Sequence, residues 1–263
     1  MILLKFLVVL YVVMAVAAFF FSERLIFVPP RPSYGNDPDL LMIPGPRDGP
    51  IVALYLVNPG SRHTILYSHG NAEDLGHIRP VLELLHGLGF SVLAYDYPGY
   101  GLSPGRPSEA GAYAAIDAAY DYLTRKKMLD PAGIILYGRS VGSGPATDLA
   151  SRRRVGGLIV EGGFTTAFRV VTRIPIFPFD RFRNIAKVEK IEAPILVIHG
   201  DRDEVVPFTH GRQIMAKARE PKFFFQAKAA RHNDLISVSG PAYERAVLDF
   251  AAHIGQDTDK NAS

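Results

Sequence analysis

Gly138-Arg139-Ser140-Val141-Gly142 constrains this chain more than any other stretch of it. The run is G-x-S-x-G. It follows the apolar residues Gly133 to Tyr137 and precedes a helical pattern from Ser143 to Ala150. Glycines two positions either side of a serine permit a tight strand-to-helix turn that a Cβ would obstruct. The serine hydroxyl is then held above the carboxyl end of a strand, with a helix starting beneath it. A turn of this kind needs a parallel sheet around it, so the remaining segments should read as alternating strands and helices.

They do. Ile51 to Val57, Thr64 to Ser68, Phe90 to Tyr95, Gly133 to Tyr137, Gly156 to Val160, Ile195 to His199 and Lys222 to Gln226 are predicted strands. Most are apolar throughout, as expected of a sheet covered on both faces. Leu25 to Val28 is predicted as a further, first strand ahead of Pro29-Pro30. Helices are expected over Leu75 to Leu88, Glu109 to Leu123 with Ser108 as N-cap, Ser140 to Ala150, Phe208 to Ala218 and Pro241 to Ile254. The fold class is α/β, a mostly parallel central sheet flanked by helices. Three parts are expected: an apolar leader over 1–22, one catalytic-type domain over 23–255, and a polar, disordered tail over 256–263. A 263-residue chain that is 48% hydrophobic can fill one such core.

Phe164 to Asn184 breaks the alternation. Phe164, Phe168, Ile174, Phe177 and Phe179 sit there among prolines and arginines, between two core strands. The segment is expected to form a minimal lid or acyl-binding wall on the catalytic side.

Phe6 to Phe21 is an unbroken apolar run. Its length is marginal for a bilayer span and long for a signal h-region. An uncleaved signal anchor is expected, with processing at Ala15-Val16-Ala17 the alternative, and sixteen apolar residues leave no polar face for a helix packed on a soluble domain. Lys5 and the amino terminus favour an N-in orientation, which puts the catalytic domain on the extracytoplasmic side. Net charge is only +3, and Arg125-Lys126-Lys127 and Arg152-Arg153-Arg154 follow helical segments, so they read as solvated helix ends. No basic-aromatic interleaving suggests a nucleic-acid partner. With no cysteine, the chain has no thiol nucleophile, disulfide or iron–sulfur ligation. No metal-ligand spacing or cofactor motif is evident, and no cofactor is expected.

A serine hydroxyl needs a base within hydrogen-bond reach and a third group to orient that base. On this scaffold the expected order is serine, acid, histidine. His232, in Ala230-Arg231-His232-Asn233-Asp234, lies between the last strand and the last helix and is the expected base; His210 and His253 are weaker rivals. Asp203, in Gly200-Asp201-Arg202-Asp203-Glu204, is the expected acid, with Asp201 capping the turn and Glu161 an alternative at the end of its own strand. The oxyanion should meet the backbone N–H groups of Val141 and of Asn71, the latter in His69-Gly70-Asn71-Ala72 after the second core strand. His69 is expected to hold that loop, Asp96 to bond backbone, and Tyr97 and Tyr100 to line the pocket mouth.

Together, Tyr67 to Ala72, Tyr95 to Gly101, Gly138 to Gly142, His199 to Val206 and His232-Asn233-Asp234 resemble the α/β-hydrolase superfamily. The similarity covers about residues 24–255. It points to the membrane-anchored, short-lid branch of serine aminopeptidase-like hydrolases, related to eukaryotic protein S-depalmitoylases. The resemblance implies the same roles: Ser140 as nucleophile, Asp203 as acid, His232 as base, Asn71 and Val141 as oxyanion donors. Two departures stand out. Arg231 replaces the glycine many relatives carry before the histidine, and an apolar helix replaces a cysteine-rich amino terminus. The function expected is a serine carboxylesterase acting on a small-molecule or lipid-like acyl ester. Thioester hydrolysis, amide or peptide hydrolysis, and a non-enzymatic binding role are the alternatives.

Overall fold

The computed structural model describes residues 1–35, 37–45 and 49–261, with side chains described up to Gly255. Among the described residues, eight strands form one sheet: β1 (Leu40–Ile43), β2 (Ile51–Leu56), β3 (Thr64–Ser68), β4 (Ser91–Tyr95), β5 (Ile134–Arg139), β6 (Gly157–Glu161), β7 (Ile195–Gly200) and β8 (Lys222–Ala227). Their spatial order is β1-β2-β4-β3-β5-β6-β7-β8. From β4 to β8 every pairing is parallel; β1 and β2 form an antiparallel edge. The central strands β3, β4 and β6 are buried at every position, which is why their sequences carry no alternation.

Helices cover both faces. They are α1 (Ile2–Ile26), α2 (Leu75–Gly87), α3 (Glu109–Asp121), α4 (Ser143–Ala150), α5 (Ala167–Thr172), α6 (Thr209–Lys217), α7 (Leu235–Ser239) and α8 (Pro241–Asn261). One apolar core lies between the sheet and α3, α4 and α6; a second lies between the opposite face and α2, α7 and α8. Ser108 caps α3 as expected, its side chain accepting from Gly111 N–H at 2.9 Å.

Four boundaries differ from the sequence reading. Leu25 and Ile26 belong to α1, not to a strand; Phe27 N–H closes a last turn on Glu23 O. Extending a formed helix is easier than starting a new element, and the apolar run upstream supplies that helix. The first strand is instead Leu40–Ile43, paired with β2. Ser140–Gly142 forms a single 3₁₀ turn ahead of α4. At the other end α8 continues through Asn261, in place of the disordered tail expected there; residues 262–263 lie outside the described residues.

The register sets the site. Ser68 stands opposite Gly138, Arg139 opposite Glu161, and Glu161 opposite Ile198. The carboxyl ends of β3, β5, β6 and β7 therefore finish on one edge, where loops from open α/β sheets place functional groups.

Candidate active site

Ser140 sits in the left-handed region at φ 51°. A non-glycine residue adopts this conformation only when its surroundings impose it. The turn is closed by backbone. A Cβ on Gly142 would lie 2.0 Å from Ser68 O, and one on Gly138 would lie 2.5 Å from Gly142 O. These distances explain why the motif needs both glycines.

Three side chains from three separate loops meet above the sheet edge. His232 Nε2 is 2.9 Å from Ser140 Oγ, and His232 Nδ1 is 2.7 Å from Asp203 Oδ2. A carboxylate accepts only, so Nδ1 carries the proton toward Asp203 and Nε2 presents its lone pair to the serine. Asp203 Oδ1 accepts from the Val205 and Val206 amides at 2.9 and 2.7 Å. Burial alone would raise the Asp203 pKa. Hydrogen bonds from His199 and His232, the charge available on His232 and the Val206 amide outweigh it, and the carboxyl is held well below the usual carboxylate range. His199 is shared in this role: its Nε2 is 2.9 Å from Val206 O and 3.4 Å from Asp203 Oδ2.

The rival groups are occupied elsewhere. Glu161 accepts from Tyr137 and Tyr243 and pairs with Arg139 at 3.3 Å, rather than bonding the glycine-rich loop beside it. Asp201 accepts from Ala229 N–H at 2.7 Å, which holds the loop leading to His232. His210 accepts from Thr165 N–H at 3.1 Å, and His253 packs edge-on against Phe223.

Val141 follows Ser140 directly, and Asn71 lies in the loop after β3, the strand paired with β5. Val141 N–H lies in the first turn of the 3₁₀ segment, where amides lack an intrahelical partner. The Asn71 side chain ties the site to the end of α1. Its Nδ2 donates to Ile26 O at 2.7 Å, and its Oδ1 accepts from Val28 N–H and Tyr100 Oη–H at 2.9 and 2.7 Å. His69 is fully buried with Nδ1 2.8 Å from Gly70 O, and Asp96 accepts from Leu75 N–H at 3.1 Å.

Tyr97 and Tyr100 require a correction. Both are buried, and neither lines a mouth. Tyr97 Oη–H donates to His69 O at 2.8 Å and Tyr100 to Asn71, so the two rings support the 69–72 loop from below. A Tyr-rich turn after a strand looks like a rim in sequence. Its rings point inward here because His69 and Asn71 offer them buried acceptors.

The aromatic segment divides in two. Phe164 is buried and packs on Phe182. Phe168, Phe177 and Phe179 form a half-buried cluster, with the last two rings stacked at 5.5 Å. Ile174 is 65% exposed at the outer edge.

Arg139 escaped the sequence reading. It pairs with Glu73 and Glu161, donates to Asn233 Oδ1 at 2.8 Å and reaches His232 O at 3.4 Å. Burial would lower its pKa; the carboxylates of Glu73 and Glu161 reverse that and keep it charged. The residue beside Ser140 thereby holds the loop that carries His232. The variable position of a G-x-S-x-G run gives no hint of this; a long cation flanked by buried strand was the available signal.

The geometry has known counterparts. A family profile described as "Serine aminopeptidase, S33" matches residues 59–175. The alpha/beta hydrolase domain-containing protein 17B of Xenopus tropicalis is 38% identical over 191 residues, 72% of this chain and 66% of that protein. The human protein of the same name is 37% identical, with the same coverage. This chain is an α/β-hydrolase. The match spans about two thirds of the relatives' own length. An esterase from Pyrococcus furiosus superposes on the hydrolase with a TM-score of 0.72 at 19% identity, covering 86% of this chain and 99% of that one. A monoacylglycerol lipase from Paleococcus ferrophilus gives 0.63 at 20% identity over 78% and 99%. Those two likenesses establish the fold. Among the described residues the hydrolase also has one helix, α1, that is long and apolar enough to cross a membrane by length and composition.

Proposed function

We propose that this hydrolase is a serine carboxylesterase held at a membrane by α1. The observation behind this reading is the unbroken line from Ser140 Oγ through both ring nitrogens of His232 to Asp203 Oδ2, with steps of 2.9 and 2.7 Å. Ser140 attacks the ester carbonyl while Nε2 takes the hydroxyl proton. Asp203 steadies the imidazolium that forms. The Val141 and Asn71 amides receive the negative charge on the carbonyl oxygen; loss of one such donor costs about 3 kcal/mol in the transition state. His232 returns its proton to the leaving alcohol. Water, deprotonated by the same ring, then releases the acid. The Phe168–Phe177–Phe179 cluster serves as an acyl-binding wall for short to medium chains, with the 164–184 segment as a minimal lid.

Kinetics on p-nitrophenyl acetate, butyrate and octanoate test the reading. The wild type should turn over at least one of them, and Ser140→Ala should fall to the uncatalysed rate. Equal background rates in both proteins would overturn it. The resemblance of the sequence to hydrolases related to protein S-depalmitoylases favours a second reading, acyl-thioester hydrolysis by the same groups. Matched ester and thioester substrates of one acyl length separate the two through their kcat/KM ratio.

A further inference from the structure

Tyr11 is the only residue with a polar side chain in the apolar run Phe6 to Phe21. Its hydroxyl donates to Ile176 O at 3.0 Å, across 165 residues of sequence, and its ring lies 6.1 Å from Phe177. Two turns further along α1, Phe19 meets Phe179 edge-on at 5.4 Å. The Phe177–Phe179 stretch thus runs between the apolar helix and α5, where it meets Phe168.

Its outer surface is apolar. Val171 is 83% exposed, Ile174 65% and Ile176 45%, and α1 residues Val8, Val12 and Phe19, on the side of the helix that carries the Tyr11 contact, are exposed as well. One apolar face is therefore continuous from helix to loop. Its polar boundary is sharp. Arg181 donates to Phe19 O at 2.8 Å and to Ser22 Oγ at 3.1 Å, and Asp180 accepts from Thr166 Oγ1 and Phe168 N–H. From Phe21 back to Tyr11 is ten residues, about 15 Å at about 1.5 Å per helical residue, or half of a hydrocarbon layer about 30 Å thick.

We propose that Val171 to Phe179 is a second membrane element, immersed in the bilayer leaflet next to the catalytic domain and lying against α1. This rests on the reading of α1 as a membrane anchor. Irregular backbone enters lipid only when its polar groups are satisfied within the protein. Several groups of the stretch meet that condition: Pro175 and Pro178 have no N–H, Ile176 O is bonded to Tyr11, and Thr172 Oγ1 donates to Ile174 O at 2.8 Å. The only charged residue in the stretch, Arg173, has a stem long enough to carry its guanidinium to the headgroups. The catalytic side is also fixed to the helix: Asn71 holds Ile26 O, and Glu23 accepts from Glu109 N–H at 3.0 Å. Immersion sets the Phe168–Phe177–Phe179 cluster level with lipid acyl chains, and the substrate class is an acyl compound resident in the bilayer.

The chain has no cysteine, so single-site labelling of the full-length protein is direct. Leu7→Cys, Val171→Cys and Met128→Cys variants carry an environment-sensitive fluorophore in phosphatidylcholine vesicles, quenched by nitroxides on lipid acyl chains or by aqueous iodide. Labels at 7 and 171 should lose at least half their emission to the nitroxide lipids and resist iodide. The label at the exposed Met128, at the amino end of β5, should show the reverse. If position 7 is quenched by lipid and position 171 behaves like 128, the second element is refuted and the anchor reading stands. If neither 7 nor 171 meets lipid, both are refuted. A label at 171 shielded from iodide but untouched by nitroxide lipid would mean that protein covers it, and would also overturn the proposal.

Discussion

At the residue scale the chemistry depends on one carboxylate keeping one imidazole in place. Asp203→Ala should lower kcat/KM by about 10⁴-fold, because the His232 ring loses the carboxylate that orients it and steadies its charge. Glu161→Ala should cost far less, because Glu161 faces Tyr137, Tyr243 and Arg139 instead of His232. The reverse ranking in steady-state assays would move the acid to β6. Asp203 also links stability to acid. Its folded pKa lies below the ordinary value of 3.8, so its contribution is complete above that value and fades as pH falls toward the folded pKa. Urea melts should therefore show unfolding free energy rising more between pH 2 and pH 4 in the wild type than in Asp203→Asn; equal slopes would contradict the depressed pKa. The convergence of Ser140, His232 and Asp203 was legible because each follows its own apolar strand in a fixed order. The anchoring role of the Asn71 side chain was not, since its partners Ile26, Val28 and Tyr100 are set by tertiary contact. Nor was the clamp made by Arg139, whose partners come from α2's leading loop, β6 and the His232 loop.

At the scale of elements, the Ser140 turn and the helix-to-domain junction are the demanding structures. Gly142→Ala would push a methyl to 2.0 Å from Ser68 O, which is backbone of the central strand and cannot yield. The expected outcome is failure to fold, or a loss of several kcal/mol seen as a sharply lowered Tm; a stable, active variant would contradict the packing of β3 against the turn. Phe27 closes α1 onto the domain, buried against Tyr100 and Phe182. Phe27→Ala should cost about 3–5 kcal/mol by thermal or chemical unfolding. A cost under about 1 kcal/mol would mean the junction is loose. Sequence patterns located all but one of the sheet's strands, because buried parallel strands are apolar without interruption. They missed β1, a four-residue edge strand that only its pairing with β2 defines. They also ended the leading helix early, since Leu25 to Val28 is locally as compatible with a strand as with a helix end.

For the whole molecule, the apolar helix and the domain form one continuous object. Arg181, Glu109, Asn71 and Asp74 hold positions 19, 22, 23, 26, 28 and 33 along the exit from α1. The reactive edge of the sheet therefore keeps a fixed attitude to whatever surrounds that helix. Composition announced the helix, but its contact with the 164–184 segment is invisible in sequence, because Tyr11 and Ile176 lie so far apart along the chain. In the proposed reaction the Ser140 hydroxyl gives its proton to the His232 ring 2.9 Å away. Reaction with a fluorophosphonate, followed by intact mass and peptide mapping, reads that activation directly. The account predicts a single adduct on Ser140 of the wild type, none on Ser140→Ala, and labelling slowed by orders of magnitude in His232→Ala. A wild type that stays unlabelled, or an adduct on any other residue, would contradict it.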